Sequence, residues 1–199
     1  RKSVPYLNNG VLIVVSSQLP AGSSKKIKEI ISKENPKLDF EYAYTPENLR
    51  LGEALECFFK PGRVVIGADS DQAREKLKDI FSDIEADFLC MSVASAEMAK
   101  HALNAFLATS LSFIYDISDI CEAVGADVTE VSSALKSDHR IGPRAYLDSS
   151  IGFSGGTLGR DLKALMAIAR DNSFTAPVIS SVFKKNEDRI YYVLNNLEK

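Results

Sequence analysis

Hydrophobic and polar positions alternate on two different periods along this chain. Up to residue 92, short β-branched or aromatic runs recur between amphipathic segments. The runs are "GVLIVVSS" (10–17), "DFEYAYT" (39–45), "RVVIGA" (63–68) and "ADFLCMS" (86–92). Each is bounded by Pro, Gly, Ser or Asp and has the length of a buried strand. Between them, "PAGSSKKIKEIISKE" (20–34), "RLGEALECFFKPG" (50–62) and "SDQAREKLKDIFSDI" (70–84) carry the spacing of amphipathic helices. Ser70 or Asp71 is placed to cap the last of these. Strands alternating with helices predict a parallel α/β sheet covered on both faces.

Beyond residue 92 the period becomes helical. "SAEMAKHALNAFLATSLSFIYDISDICEAVG" (95–125) has no Pro or Gly before its last residue. One helix over that stretch would be about 45 Å long. Its apolar positions, among them Met98, Phe106, Leu107, Phe113, Ile117 and Ile120, wrap most of the way round. Such a helix is expected to be buried in a core or against another subunit. A shorter helix follows at "VTEVSSALKSD" (128–138), then a polar, glycine-containing loop over 139–159. Two closing helices are predicted from Arg160 to about Asp171 and from Pro177 to about Leu197; Pro177 suits a first-turn position. The chain therefore divides at 92/93 into an α/β part (1–92) and an all-α part (93–199).

Composition narrows the functions available. The formal net charge of −3 offers no broad basic surface, against a nucleic-acid partner. No apolar run is long enough to span a membrane and the N-terminus shows no signal-peptide pattern, so a cytoplasmic protein is expected. Cys57, Cys90 and Cys121 stand singly and are expected to be buried, reduced thiols. His101 and His139 are the sole histidines, which argues against a histidine-based metal site.

Two local patterns point to chemistry. In "AEMAKHALNAF", Lys100 and Asn104 lie four apart on one helical face. On a desolvated helix such a pair can hold a substrate hydroxyl and move its proton; on a solvated helix edge it does nothing. In "IGFSGGTLGRDLKALM" (151–166), a glycine-rich turn enters a helix through Thr157, Arg160 and Asp161. No GxGxxG follows any predicted strand. The α/β part thus reads as the second half of a dinucleotide-binding domain, which by itself is expected to bind a dinucleotide poorly.

Six segments, in order, resemble the UDP-glucose/GDP-mannose dehydrogenase family. They are "SSQLPAGS" (16–23), "TPENLRLGEAL" (45–55), "PGRVVIGA" (61–68), "AEMAKHALNAFLATSLSFIYDISDICEAVGADVTEV" (96–131), "DHRIGPRAYL" (138–147) and "GFSGGTLGRDLKAL" (152–165). The resemblance implies the back half of a Rossmann-like NAD-binding domain followed by a central helical domain that dimerises through its long helix. It implies NAD as cofactor and a UDP-sugar as substrate, oxidised at C6 from alcohol to carboxylate.

Position by position, the resemblance implies that Lys100 and Asn104 contact the reacting sugar oxygen and that Glu47 acts as acid/base. Asp161 matches an acid at the same helix entry. Ser17, Gln18 and Arg160 fall at cofactor-side positions, Arg160 standing for a lysine. Arg140, Tyr146, Leu147, Gly152 and Phe153 fall at positions that approach the substrate. Taken alone, Glu47 also fits a surface loop carboxylate and Arg140 a helix-end cation.

Three positions depart from the family. Thr157 stands where the family has a cysteine that attacks the intermediate aldehyde. Gln18 replaces a threonine, and Leu51 replaces a glutamate. A threonine hydroxyl is a far weaker nucleophile and leaving group than a thiolate. The resemblance implies an NAD-dependent, UDP-glucose 6-dehydrogenase-like oxidation of a nucleotide sugar, with a dehydrogenase halted after two electrons and a catalytically silent dimerising relative as the alternatives.

Overall fold

The four β-branched runs form strands, and helices occupy the segments between them. A computed structural model describes residues 2–47, 49, 52–154 and 156–197. After a 3-10 turn at Val4–Tyr6, the elements are β1 (Val11–Ser16), α1 (Ser23–Glu34), β2 (Phe40–Thr45), α2 (Ala54–Phe59), β3 (Arg63–Ala68), α3 (Asp71–Ile80), β4 (Asp87–Met91), α4 (Val93–Val124), α5 (Val128–Ser137), α6 (Leu158–Asp171) and α7 (Pro177–Leu197). The chain forms two compact units, Arg1–Lys100 and His101–Lys199; α4 begins in the first and continues in the second.

In the first unit the sheet order is β1-β2-β3-β4. β1 pairs parallel with β2 from Val11↔Phe40 to Ser16↔Thr45, and β3 pairs parallel with β4 from Arg63↔Asp87 to Gly67↔Met91. The joint between these pairs corrects the all-parallel expectation. β2 and β3 run antiparallel, through Ala43↔Ala68 and Tyr44↔Gly67. A parallel step needs a crossover element packed on the sheet. α2 is six residues long with none of them buried, so it does not serve as one.

The period-two alternation sorts side chains onto two faces. Ala43, Val64, Ile66 and Ala68 face Ala73 and Leu77 of α3. Tyr42, Tyr44 and Val65 face the start of α4 at Val93 and Ala96, with Ile27 of α1 packed alongside. Both faces are covered, as the strand–helix alternation predicts. β1, read as a buried run, is only half-buried, because it is the outer strand of the described sheet. The thiols are corrected too: Cys121 is buried, but Cys57, on α2, is half-buried, and Cys90 is exposed because β4 is an outer strand.

Helix ends follow local chemistry. Ser70 caps α3 by accepting from Ala73 N at 3.0 Å, and Asp127 caps α5 by accepting from Thr129 N at 2.7 Å. In the second unit, Ala105 and Ala108 of α4 pack with Leu162 of α6 and Val182 of α7. A second cluster joins Ile114 and Tyr115 to Leu147, with Phe153 touching both clusters. α4 is not buried all round within the chain: Phe106, Phe113 and Ile120 remain exposed.

Gly67 is where β3 meets the first turn of α4. A Cβ there would lie 2.7 Å from Ala96 Cβ and 3.0 Å from Val93 Cα. Gly67→Ala should therefore destabilise the first unit by about 1–3 kcal/mol. Urea unfolding would show this as a lowered midpoint, and an unchanged midpoint would count against the tight seat.

Candidate active site

The C-terminal ends of paired parallel strands are where α/β folds expose polar groups to ligands. Here the pair Ser16↔Thr45 ends β1 and β2 together. Ser17 and Gln18 follow one strand; Pro46 and Glu47 follow the other. Ser17 and Glu47 are exposed, Gln18 is half-buried, and the Glu47 carboxylate accepts from Leu49 N. Leu51 lies outside the described residues.

A residue without a sequence-level assignment fixes this edge. Glu97, one turn before Lys100 on α4, is 1% exposed. Its carboxylate accepts from Gly22 N at 2.6 Å and Ser24 N at 2.8 Å. Those are free N–H groups of the α1 N-terminus, and a carboxylate there satisfies both donors and the helix dipole. Glu97 thus ties the end of the 18–22 loop to the helix that carries Lys100, which is itself half-buried. Asp69 does the same for α4, accepting from Val93 N at 3.2 Å while pairing with Lys28 at 2.7 Å. The Lys28 hydrogen bond holds the Asp69 carboxyl below its ordinary pKa, outweighing the opposing effect of burial.

In the second unit the helix entry at 157–161 closes on α4. Asp161 lies in the first turn of α6, where the dipole favours a carboxylate. It is 1% exposed. Asn104 donates Nδ2 to one of its oxygens. His101 places Nδ1 at 3.1 Å from the other. Asn104 and Asp161, predicted as site residues, are therefore in contact, with His101 added to them. Arg160 points outward and brings Nε to 4.0 Å from Asp161 Oδ1.

Thr157 precedes α6 at its N-cap position. Its backbone is helical (φ −97°, ψ −67°) and its side chain makes no capping hydrogen bond. Capping threonines adopt extended backbone and accept from the first turn. Thr157 does neither and stands exposed. Neighbouring Gly155 lies outside the described residues.

The loop before Thr157 is held by α7. Asn186 accepts from Phe153 N at 2.8 Å and donates to Phe153 O at 3.0 Å, pairing with both groups as a strand would. Arg189 donates Nε to Ser150 O at 3.1 Å, pairs with Asp119 and lies 5.3 Å over the Tyr115 ring. Gly152 between them has φ +128°, which a side chain would strain. Leu147 is buried in the core and its carbonyl accepts from Ser132 Oγ at 2.7 Å. Tyr146 is exposed. Arg140 is exposed and bonded to Asp138, whose carboxyl it holds below its ordinary pKa.

Sequence reasoning missed Glu97, His101, Asn186 and Arg189. A glutamate and a histidine within the largely apolar first half of α4 were the available signals for the first two. "KKNEDR" (184–189) has the texture of any solvated helix face, so nothing marked the last two. Among the described residues no group of three His, Cys, Asp or Glu could hold a metal ion, and no helix is long and apolar enough to cross a membrane.

Comparison with known proteins finds the same family on both units. Residues 1–85 match the UDP-glucose/GDP-mannose dehydrogenase family, NAD binding domain, and residues 94–188 match its central domain. UDP-glucose 6-dehydrogenase TuaD of Bacillus subtilis (strain 168) is 36% identical over 193 residues, covering 96% of this chain and 42% of that protein. UDP-glucose 6-dehydrogenase of Rickettsia bellii (strain RML369-C) is 32% identical over 187 residues, covering 92% of this chain and 42% of that protein. A UDP-glucose dehydrogenase structure from the archaeon Pyrobaculum islandicum superposes with a TM-score of 0.83 at 32% identity, over 89% of this chain and 42% of that one. A UDP-D-ManNAc dehydrogenase from Pyrococcus horikoshii shares the fold, with a TM-score of 0.85 at 20% identity over 98% of this chain and 46% of that one. The chain spans less than half the length of these relatives.

Asn186 makes a local prediction. Asn186→Ala removes two hydrogen bonds from the loop and should cost about 1–3 kcal/mol. Amide exchange at Phe153 should quicken more than exchange in α6, and equal rates in both proteins would remove Asn186 as the clamp.

Proposed function

The chain belongs to the UDP-glucose/GDP-mannose dehydrogenase family, and from that premise we propose that its protein is an NAD-dependent oxidoreductase acting on the primary alcohol of a UDP-sugar. NAD, when bound, supplies the hydride acceptor. On the first unit, Ser17 and Gln18 follow β1 and give a polar edge that suits part of its site; on the second, Arg160 carries the exposed cation assigned to it. No glycine-rich turn of the pyrophosphate-binding kind follows a described strand.

Within this reading Lys100 takes the proton of the reacting hydroxyl. Asn104 and Asp161 frame the sugar oxygen, and Glu47 serves as acid/base. Gly152, Phe153 and Tyr146, in the loop clamped by Asn186 and Arg189, line the sugar, with Leu147 anchoring that loop and Arg140 reaching substrate. The reaction stops after one hydride transfer, at the aldehyde.

The observation that carries this limit is Thr157. It stands exposed at the helix entry, without a capping bond, at the position of the family's nucleophilic cysteine. A secondary hydroxyl forms and releases a covalent intermediate far less readily than a thiolate does. Full oxidation to a uronate by another route, and a silent relative serving assembly, are the competing readings. Counting products separates all three. The full-length protein supplied with UDP-sugars should yield one NADH per sugar and an aldehyde. Two NADH with uronate would overturn the limit, and no NADH would favour the silent reading.

We also infer a homodimer built on α4. Phe106, Phe113 and Ile120 repeat every seven residues and are exposed on the chain alone. A seven-residue apolar seam is what helix pairing uses. The protein should sediment as a dimer at micromolar concentration and Phe113→Glu as a monomer. A monomeric unmodified protein would exclude this assembly.

A further inference from the structure

His101 is 2% exposed on α4, and nothing assigned so far to the reaction requires it. Its Nδ1 lies 3.1 Å from Asp161 Oδ1. Three residues on, Asn104 donates Nδ2 to Asp161 Oδ2. A carboxylate accepts and cannot donate, so both neighbours must present hydrogens. His101 therefore carries a proton on Nδ1, as the Nδ1–H neutral ring or as the imidazolium. Asn104 turns its NH2 inward to Asp161, which leaves its carbonyl oxygen as the amide atom presented to a ligand.

We propose that His101 is a positioning residue for the sugar site: by donating from Nδ1 it locks the Asp161 carboxylate, which locks the Asn104 amide with its oxygen turned to a sugar hydroxyl. This rests on the functional reading above and adds a residue to it. Carboxylate and carboxamide torsions are broad and roughly two-fold, so packing alone sets them weakly. Two donors on two carboxylate oxygens remove that freedom. If His101 stopped donating, Asp161 Oδ1 would lose a buried hydrogen bond, and the carboxylate would be freer to rotate. The Asn104 amide would then lose its single orientation. The lock also reaches Thr157, because Asp161 N donates to Thr157 O at 3.1 Å in the same turn.

A packing role and a donor role separate by substitution. The amide nitrogen of an asparagine overlays Nδ1, so His101→Asn keeps the donor and loses the ring. His101→Phe keeps a ring and loses the donor. In the full-length protein, His101→Phe should lower kcat for UDP-sugar oxidation by about tenfold or more, with KM within about threefold of the parent. His101→Asn should recover most of that kcat. The reverse order, with Phe active and Asn impaired, would overturn the proposal in favour of packing. Nitrogen-15 NMR of the imidazole in the unmodified protein gives a readout that needs neither activity nor a variant that folds. A protonated Nδ1 is expected; the neutral Nε2–H tautomer would overturn the lock outright. Absence of any UDP-sugar oxidation would remove the functional reading, and the tautomer would still decide whether His101 holds Asp161.

Discussion

One buried carboxylate organises the second unit. Asp161 sits where the N-terminal dipole of α6 favours an anion. Burial of a charge without partners would cost several kcal/mol. Asn104 and His101, both on α4, supply the partners. The helix entry is thereby tied to the long helix by polar contacts whose geometry is specific, and the apolar packing of Ala105, Ala108, Leu162 and Val182 surrounds them. The position of Thr157, four residues earlier, follows from this attachment.

The first unit uses the same device at another helix end. Glu97 brings a buried carboxylate to the N-terminus of α1 and satisfies two backbone donors there. Asp69, an exposed carboxylate, accepts from one backbone donor at the N-terminus of α4. Each acid joins segments distant in sequence. Helix termini leave N–H groups in need of acceptors. Filling that need from another element converts a local requirement into tertiary position.

The loop over 150–153 is held differently, from α7. Asn186 reads both main-chain groups of Phe153, and Arg189 reaches Ser150 O while its charge is met by Asp119. Main-chain contacts of this kind fix a loop without using its side chains. Phe153 packs against both apolar clusters of the unit while its main chain is held by Asn186.

The sequence by itself determined the elements and their ends. β-branched runs fixed β1 to β4, the stretch without Pro or Gly fixed α4, and Ser70, Asp127 and Pro177 marked helix starts, because each rests on local sterics and local hydrogen bonds. It also placed Thr157 and Asp161 at one helix entry and Lys100 and Asn104 on one helix. The tertiary structure decided what depends on pairing across the chain. It set β3 antiparallel to β2, because α2 is too short to act as a packed crossover. It left Cys90 exposed, because β4 is an outer strand. It drew Glu97, His101, Asn186 and Arg189 into service, because a polar side chain's task is set by the donor or acceptor that folding brings to it. The spacing of residues along one helix does not carry that information.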